Sequence, residues 1–597
     1  MKINKLISRL QDKLQQALIY GDISRFLFHL LVSIVLGMAA GGSAMLFHFA
    51  LEAMKGVFSP ESTGAKTSSF LIVLIPAAGA LITALMTRVF RKFSKERGVL
   101  SVIKSLLLKE GNLSARGTLF QAIAPVISLG TGAPLGPEGP AARLGSGIGS
   151  IMSRIFKMQV HNMKMYTAAG AGAAISAVFN APITGVFFGI EVILLNDMKN
   201  QALSALIVSS VVADIVSRAV LGNSHIIQLP AYDLGGIGTY PLYLIMGITC
   251  GIFALLYFRM NAIAAYLFDK KLKIKNEYLR LIPLSLLFGL VLMQYSHLFG
   301  IGYGTIHDVL NNRIALETVI ILLFLKIAFV ALFLQGGAYG GTFAPSLVIG
   351  VLLGYSFASV GTILTGIPMD PVAFSIVAMG GILAGINSIP LTSMMLVFEI
   401  SNDYRVILPL MLVSVIAHLI SFSYNRGSIY QVGLKKSGID ISKLNEVDLL
   451  GRIAVNELMK GKIDTASFRT PFRELSEIIL KSRLGDVVIT GDRDNLLGIV
   501  SLMDIRQAFM NNELVDLLIA GDIMRPVPQV LENESVSSAM QKIKEYDLEN
   551  IPVVDSSDTE KIVGILTHFD IIQAYNRNLE EWETNQILLD FGQPQEP

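Results

Sequence analysis

Two similar stretches decide the fold: Leu129-Gly-Thr-Gly-Ala-Pro-Leu-Gly-Pro-Glu-Gly-Pro140 and, 205 positions later, Leu334-Gln-Gly-Gly-Ala-Tyr-Gly-Gly-Thr-Phe-Ala-Pro345. Both place glycine and proline at matching positions in apolar surroundings, where a spanning helix of about 20 residues would have to continue. Backbone that stops being helical at membrane depth is tolerated only where protein buries it or where it lines an aqueous cavity. The pair therefore predicts two homologous membrane halves with broken half-helices; such halves often have inverted topology, with a substrate site between them.

Composition agrees with a membrane location. Hydrophobic residues make up 52% of the 597 and charged residues 16%, with a mean hydropathy of +0.58, whereas soluble domains have roughly 25% charged residues. The net charge of +2 is too balanced for a nucleic-acid partner. A single cysteine, Cys250, excludes an intramolecular disulfide and a cysteine-rich metal cluster. No metal-ligand cluster or nucleophile-base constellation stands out, so we expect neither a metal site nor an enzyme.

Charged residues mark the domain borders. Stretches without Asp, Glu, Lys or Arg, each reaching about 20 residues or more, lie between Arg25 and Glu52, Lys66 and Arg88, Asp233 and Arg259, Arg280 and Asp308, and Arg405 and Arg426. We predict a basic amphipathic N-terminal helix within residues 1–25 and a membrane domain at 26–436, with repeats at about 26–222 and 234–434. Residues 437–597, in which charges recur every few positions, are predicted to be soluble.

Basic clusters predict the orientation. Lys and Arg concentrate in residues 1–25, in 88–109 and ahead of the soluble tail. Because cytoplasmic loops carry an excess of these residues, we expect a multi-pass protein of the inner (plasma) membrane. Its N-terminus and its C-terminal domain are expected in the cytoplasm.

The soluble tail contains a second repeat. Gly498-Ile-Val-Ser-Leu-Met-Asp-Ile-Arg-Gln-Ala508 parallels Gly564-Ile-Leu-Thr-His-Phe-Asp-Ile-Ile-Gln-Ala574. Each copy predicts a strand, a turn, a second strand and a helix that begins after a Ser/Thr-x-x-Asp element. The tail is therefore a tandem α/β pair, at about 452–511 and 518–580.

The glycine-proline runs are suited to binding a small anion. Gly136–Pro140 and Gly341–Pro345 both lead from a loop into a helix, and a helix N-terminus attracts anions through its unpaired N–H groups and its partial positive charge. Such a site needs no Lys or Arg and binds weakly enough to release the ion. Glu138, seated in the first run, can occupy the anion's place and act as a gate or proton carrier. The alternative is a permanent helix-capping carboxylate.

These residues resemble the CLC family of chloride channels and proton-coupled chloride transporters. Gly136-Pro-Glu-Gly-Pro140 is similar to the family's G(K/R)EGP signature, Gly341-Thr-Phe-Ala-Pro345 to its GxFxP signature, and Tyr430 to its ion-coordinating tyrosine. The tail resembles paired CBS (cystathionine-β-synthase) domains. The resemblance implies an all-α polytopic protein with two inverted repeats and a C-terminal α/β CBS pair. It further implies a homodimer in the lipid bilayer that conducts chloride through one pore per subunit.

The resemblance also implies roles for single residues. Glu138 would be the gating glutamate, Thr342 and Phe343 would offer amides to the central ion, and Tyr430 would offer a hydroxyl. Gly98 and Gly139 complete the expected anion-binding set. Judged alone, Tyr430 could equally be a tyrosine of the membrane interface.

Two departures from the signatures affect the anion site. The family's GSGIP signature falls on Glu96-Arg97-Gly98-Val99-Leu100, so Arg97 replaces a serine that would contact the ion. Arg97 either lies at the inner mouth and concentrates anions or belongs to the basic loop and snorkels to water. Pro137 replaces the usual basic residue of the second signature and has no N–H to donate.

A third departure bears on proton coupling. Proton-coupled members usually have a glutamate one position after the residue matched by Glu191, and this chain has Val192 there, which cannot relay a proton. Glu191 recurs as Glu399 in the second half, which indicates helix-end structure rather than chemistry. We therefore predict a passive, glutamate-gated chloride channel of the voltage-gated family. The alternatives are an H⁺/anion antiporter and a nucleotide-sensing membrane protein with a vestigial anion pathway.

The CBS pair suggests a regulatory ligand. Ser501 and Asp504, and likewise Thr567 and Asp570, match the element with which CBS pairs hold ribose and phosphate, so an adenine nucleotide (ATP, ADP or AMP) is a candidate. The alternative is that Ser501 and Thr567 are N-terminal helix caps.

Overall fold

The structure is a computed structural model. It describes residues 22–577 apart from 60–70, 95–96, 159, 197–199, 223–226, 228, 275, 426, 437–449, 451–452, 462, 483, 493–494, 512–516, 547 and 575–576. The chain forms two compact units, Met1–Ile439 and Asp440–Pro597. The amphipathic helix predicted within residues 1–25 lies outside the described residues, except for 22–25.

The described part of the first unit is helical. Its helices are α1 (Asp22–Phe58), α2 (Leu71–Val89), α3 (Arg91–Ser94), α4 (Gly98–Leu108), α5 (Ala115–Gly130), α6 (Glu138–Ile155), α7 (Val160–Phe179), α8 (Pro182–Phe188), α9 (Asn200–Leu221), α10 (Tyr240–Tyr266), α11 (Glu277–Leu292), α12 (Tyr303–Leu310), α13 (Leu316–Gly336), α14 (Phe343–Thr365), α15 (Pro371–Asn387), α16 (Pro390–Ser401), α17 (Ile407–Asn425) and α18 (Ile429–Lys436). Among the described residues, seven helical stretches are long and apolar enough to cross a membrane. The predicted polytopic all-α architecture is confirmed.

The helix ends show why the sequence breaks where it does. Helix α5 starts after Ser114, whose hydroxyl accepts from the Gly117 N–H, and α15 starts after Asp370, whose carboxylate accepts from Val372 and Ala373. Capping of this kind satisfies N–H groups that have no partner within the helix. The breaks predicted in the two signature stretches lie between α5 and α6 and between α13 and α14.

The two halves repeat the same packing. Helices α5–α8 in the first half correspond to α13–α16 in the second, and matching glycines bring neighbouring helices together. A Cβ at Gly149 would lie 2.1 Å from the Tyr166 carbonyl oxygen, and one at the matching Gly354 would lie 2.4 Å from the Phe374 carbonyl oxygen. These glycines therefore serve close helix packing rather than a turn at the anion site.

The second unit contains two three-stranded sheets with the same topology. Its elements are β1 (Thr465–Ser467), α19 (Phe472–Lys481), β2 (Asp486–Thr490), β3 (Leu496–Ser501), α20 (Leu502–Asn511), α21 (Ala520–Ile523), β4 (Val530–Leu531), α22 (Val536–Glu545), β5 (Asn550–Val554) and β6 (Ile562–Thr567). The central strand of each sheet, β2 or β5, pairs in parallel with the strand before it and antiparallel with the strand after it.

The two modules exchange short segments. Lys460, which precedes the first sheet, pairs with Ile565 of the second, and Arg525, which precedes the second sheet, pairs with Ile499 of the first. The buried core around Val553 accordingly includes Val455 and Ile499 from the first module. The tandem pair therefore packs as one body.

Candidate functional site

The two signature loops pair with each other at the centre of the membrane unit. The Gly136 N–H donates to the Gly341 carbonyl at 2.9 Å, and the Gly341 N–H donates to the Gly136 carbonyl at 2.7 Å. Helices α6 and α14 begin two residues beyond this bridge. The N-termini of equivalent helices from both halves thus meet, and their partial positive charges act on the same space.

Glu138 lies in this space. It is the first residue of α6, it is 2% exposed, and its Oε1 accepts a 2.5 Å hydrogen bond from the Phe343 N–H at the start of α14. A Cβ at Gly136 would lie 2.0 Å from Oε2, and one at Gly341 would lie 2.1 Å from Oε1. Only glycine at both loop positions leaves room for the carboxylate there.

A cavity of about 490 Å³ leads to this carboxylate. Six of the seven residues that the sequence assigns to the anion pathway line it: Arg97, Gly98, Glu138, Gly139, Thr342 and Tyr430. The seventh, Phe343, contributes its amide to Glu138. The structure therefore brings all seven together, although they come from four separate parts of the chain.

Three glycines let the loops approach one another. A Cβ at Gly139 would lie 3.7 Å from the Cα atoms of both Gly98 and Gly341. Gly98 also has a φ of 53°, which disfavours other residues. Backbone of three separate loops therefore comes together in the wall of this cavity.

Arg97 lies in the wall of the first cavity. Its guanidinium donates to the Gly337 carbonyl at 2.5 Å and to the Ser94 carbonyl at 3.2 Å. It also lies 4.3 Å from the centre of the Tyr339 ring, within the range of a cation–π contact. Arg97 of the first half therefore contacts the loop that precedes the second signature, through a hydrogen bond to Gly337 and the ring of Tyr339.

Glu191 and Glu399 cap helices of the opposite half. Glu399 accepts from the Ile183 N–H (2.8 Å), the Thr184 N–H (2.7 Å) and the Thr184 hydroxyl (2.6 Å) at the start of α8. Glu191 accepts from the Leu391 N–H (3.2 Å), the Thr392 N–H (2.8 Å) and the Thr392 hydroxyl (2.6 Å) at the start of α16. The sequence indicated a helix-end role but not that each carboxylate crosses to the other repeat.

Sequence reasoning missed two buried polar side chains near the pathway. Asn387, at the end of α15, accepts from the Thr342 hydroxyl at 2.8 Å, which turns that hydroxyl away from an ion in the cavity. Lys326 in α13 is 1% exposed, and its ammonium donates to the Gly300 and Ile301 carbonyls at 3.0 and 3.3 Å. A lysine inside an otherwise uncharged span was the available signal for the second.

A second cavity, of about 380 Å³, lies against the far end of α1. Its lining includes Lys55, Ser59, His297, Tyr303 and Asp308. Tyr303, which lines this cavity, lies within electrostatic reach of the Glu138 carboxylate.

The Ser/Thr-x-x-Asp elements of the second unit are helix caps with an ion pair attached. The Ser501 hydroxyl donates to Asp504 at 2.7 Å, and the Thr567 hydroxyl donates to Asp570 at 2.7 Å. Asp504 pairs with Arg525 at 3.0 Å, whereas Asp570 pairs with Lys460 at 2.9 Å. Each cation comes from the segment that the other module contributes, so the pairs join the two modules.

Comparison with known proteins identifies the family. A sequence model described as voltage gated chloride channel matches residues 78–422, and a CBS domain model matches residues 455–511 and 520–577. The chain belongs to the CLC family of voltage gated chloride channels. It is a multi-pass membrane protein of a chloride-transporting family and carries a tandem CBS pair. The signature residues 136–140 and 341–345 fall within the matched region.

Some relatives within the CLC family are named exchange transporters and others are named channels. The H(+)/Cl(-) exchange transporter ClcA of Vibrio parahaemolyticus is 32% identical over 335 residues, which cover 54% of this chain and 70% of that protein. Chloride channel protein CLC-f of Arabidopsis thaliana is 27% identical over 595 residues, which cover 85% of this chain and 74% of that protein.

Solved CLC structures have the same fold. The X-ray crystal structure of a slow cyanobacterial Cl-/H+ antiporter superposes with a TM-score of 0.62 and 25% identity, covering 70% of this chain and 99% of that chain. A eukaryotic CLC transporter superposes with the same TM-score at 19% identity, covering 92% of this chain and 99% of that chain. The second comparison bears on the fold alone.

Proposed function

We propose that this protein exchanges chloride for protons between the two cavities, with Glu138 as both gate and proton carrier. The observation that carries the proposal is the Glu138 carboxylate, which accepts the Phe343 amide hydrogen bond and also lines the first cavity. An acidic side chain is thus held where the N-termini of α6 and α14 favour an anion. Chloride and the carboxylate compete for that place.

Protonation decides the competition. The charged carboxylate is attracted to the α14 N-terminus, whereas the neutral acid has lost that attraction. When Glu138 takes a proton from the first cavity, the neutral side chain turns toward the second cavity, and chloride from the second cavity takes the amide of Phe343. Glu138 then releases its proton to the second cavity and returns charged, which displaces the chloride into the first cavity. Proton and chloride thus move in opposite directions.

Two observations favour exchange over passive flow. Relatives at about this level of identity include proteins named H(+)/Cl(-) exchange transporter and Cl-/H+ antiporter. In addition, Glu138 lines the first cavity directly, so water in that cavity can deliver a proton without a second carboxylate on the way.

Passive, gated conduction is the second candidate. Val192 is buried, at 1% exposure, and an apolar side chain at this position cannot relay a proton. Chloride channel protein CLC-f is also similar over most of this chain. A vestigial pathway attached to a nucleotide sensor is the remaining alternative.

Chloride efflux from liposomes that contain the purified full-length protein tests whether chloride moves at all. We expect efflux with the wild type, and a changed pH dependence of efflux for Glu138→Ala. Glu317→Ala is the matched control, because Glu317 also lies in the first turn of a helix but is exposed. If neither the wild type nor Glu138→Ala moves chloride, the transport proposal fails and the sensor alternative survives.

Assembly and location form part of the proposal. We propose a homodimer in the cell inner membrane, with residues 26–436 as the permeation domain and residues 437–597 in the cytoplasm. The basic clusters at 1–25 and 88–109 support this orientation. Transport in the bilayer is the whole of the proposed activity, and enzymatic chemistry has no part in it.

An adenine nucleotide is proposed as a regulator of the CBS pair. The residues that fit it are Thr567 and Asp570. An Asp carboxylate accepts hydrogen bonds from ribose hydroxyls, and the N–H groups of a helix N-terminus donate to phosphate. Asp570 is paired with Lys460, so a nucleotide would have to release this lysine, which could then pair with phosphate. Calorimetry of the full chain with ATP, ADP and AMP tests the proposal, with Asp570→Ala and the exposed Asp558→Ala as variant and control. Lack of binding by the wild type removes the nucleotide.

A further inference from the structure

A second tyrosine, in α10, lies beside the gate. Tyr257 is 1% exposed, and among the described residues its hydroxyl has no hydrogen-bond partner. The Oε2 atom of Glu138 is also buried and without a partner. Leaving a buried hydroxyl unpaired costs about 1–3 kcal/mol, so its retention calls for an explanation.

Helix packing determines where this hydroxyl lies. Helix α10 packs on α15 through small residues: a Cβ at Gly381 would lie 2.9 Å from the Cys250 Sγ, and one at Gly385 would lie 2.8 Å from the Ala254 Cβ. Tyr257 is the next residue on this face of α10, since residues three and four apart share a face. Its ring therefore comes to the end of α15, where Asn387 holds the Thr342 hydroxyl.

The surroundings place Tyr257 next to the ion pathway. Its phenol lies within electrostatic reach of the Glu138 carboxylate and of the Tyr430 phenol. The next turn of α10 lines the first cavity through Phe258 and Asn261. Tyr257 comes one turn before Asn261 in the same helix and is buried beside this lining.

We propose that the Tyr257 hydroxyl is a specificity-determining ligand of the transported chloride, donating a hydrogen bond beside Tyr430 at the deep end of the cavity. The inference rests on the proposed function. A neutral hydroxyl binds an anion without a fixed charge, which keeps binding weak enough for release. It also supplies a hydroxyl in a pathway whose first signature carries Arg97 in place of serine.

Removal of this hydroxyl tests the inference. We expect Tyr257→Phe to weaken chloride binding by about tenfold or more, as loss of one hydrogen bond to a charged group does. The measurement is calorimetric titration of the purified full-length protein with chloride. In liposome flux, the variant should favour nitrate and thiocyanate over chloride more than the wild type does, because weakly hydrated anions depend less on a donor.

Tyr243→Phe is the matched control. Tyr243 is also 1% exposed and lies in the same helix, but its hydroxyl donates to the Leu234 carbonyl at 3.1 Å. We expect Tyr243→Phe to lower the thermal midpoint and to leave chloride affinity unchanged. Tyr257→Phe should leave the thermal midpoint unchanged and weaken chloride binding, because its hydroxyl has no hydrogen-bond partner among the described residues.

The same titration in a Glu138→Ala background separates an ion ligand from a partner of the gate. If the Tyr257 hydroxyl is a ligand of the ion, its removal weakens chloride binding in both backgrounds. If it acts only through Glu138, its removal has no effect once the carboxylate is gone. Unchanged chloride affinity in Tyr257→Phe, or an effect that disappears in the double variant, overturns the inference. If the wild type itself neither binds nor moves chloride, the proposed function has failed instead.

Discussion

Glu138 and the pair Glu191 and Glu399 are carboxylates at helix ends where the two halves meet. Glu138 is buried and the other two are half-buried, and their hydrogen bonding differs. Glu191 and Glu399 each accept three hydrogen bonds from the opposite repeat, and both oxygens of each are used. Glu138 uses Oε1 on the Phe343 amide, while its Oε2 has no partner among the described residues. The first arrangement fixes a carboxylate in place, and the second leaves one able to move.

The difference shows how one motif type can serve structure in one place and function in another. A carboxylate that accepts from two N–H groups and a hydroxyl loses all three bonds if it leaves. Glu138 gives up the Phe343 hydrogen bond and the attraction of the neighbouring Ala344 amide, and Gly136 and Gly341 lie against its carboxylate. Substitutions at Glu191 and Glu399 should therefore affect stability, whereas substitutions at Glu138 should affect transport.

The largest effect on transport is expected at Glu138. Glu138→Ala removes the group that competes with chloride, so chloride flux should continue and lose its dependence on pH. Thermal stability should change less than in Glu399→Ala, because Glu138 accepts fewer hydrogen bonds and its removal also takes a buried charge out of an apolar site. Flux measurements from pH 5 to pH 8 check the expectation, and a large loss of stability with normal pH-dependent transport would contradict it.

The largest effect on stability is expected at Glu399. Glu399→Ala leaves the Ile183 and Thr184 N–H groups and the Thr184 hydroxyl without their acceptor, at a cost of about 1–3 kcal/mol. The thermal midpoint of the detergent-solubilised protein should fall clearly. Glu191→Ala should lower the thermal midpoint by a similar amount, because the hydrogen bonding of Glu191 is equivalent. The exposed Glu317→Ala serves as control. A normal midpoint together with altered proton coupling would make Glu399 a functional residue instead.

An intermediate effect is expected at Gly341. The added methyl of Gly341→Ala would lie 2.1 Å from the Glu138 Oε1, so the carboxylate must leave the Phe343 amide. We expect severalfold faster chloride leak, and little further change when the substitution is combined with Glu138→Ala. Gly42→Ala is the control, since a Cβ there meets nothing within 4 Å. Unchanged leak in Gly341→Ala would show that the carboxylate does not depend on this space.

The smallest effect is expected in the CBS pair. Lys460→Met removes the ion pair with Asp570, in which Lys460 is half exposed, and such pairs contribute about 1 kcal/mol or less. We expect a small decrease in the thermal midpoint that disappears at high salt, because salt screens exposed charges. A decrease of the same size at all salt concentrations would mean that the lysine acts through packing.

Much of the fold could be predicted from the sequence, because its causes are local. The breaks between α5 and α6 and between α13 and α14 follow from glycine and proline in the two signatures, and the CBS repeat follows from strand and cap patterns. The family assignment and the fold class are confirmed. The roles of the site residues remain proposals, although the structure gathers all seven around one cavity.

What could not be predicted depends on contacts between distant parts of the chain. Nothing local indicates that Glu191 caps a helix of the other repeat, that Arg97 donates to Gly337, or that Asn387 holds the Thr342 hydroxyl. Tyr257 was overlooked for the same reason, since a tyrosine in an apolar helix has no distinguishing neighbour in sequence. These contacts arise only when the two halves pack.

The most direct test of the account is proton movement driven by a chloride gradient in liposomes that contain the full-length protein. With an outward chloride gradient and no initial pH difference, the account predicts that the wild type drives protons inward while Glu138→Ala moves chloride alone. Chloride efflux from the wild type without any proton movement would contradict exchange, and it would leave Glu138 as the gate of a passive channel.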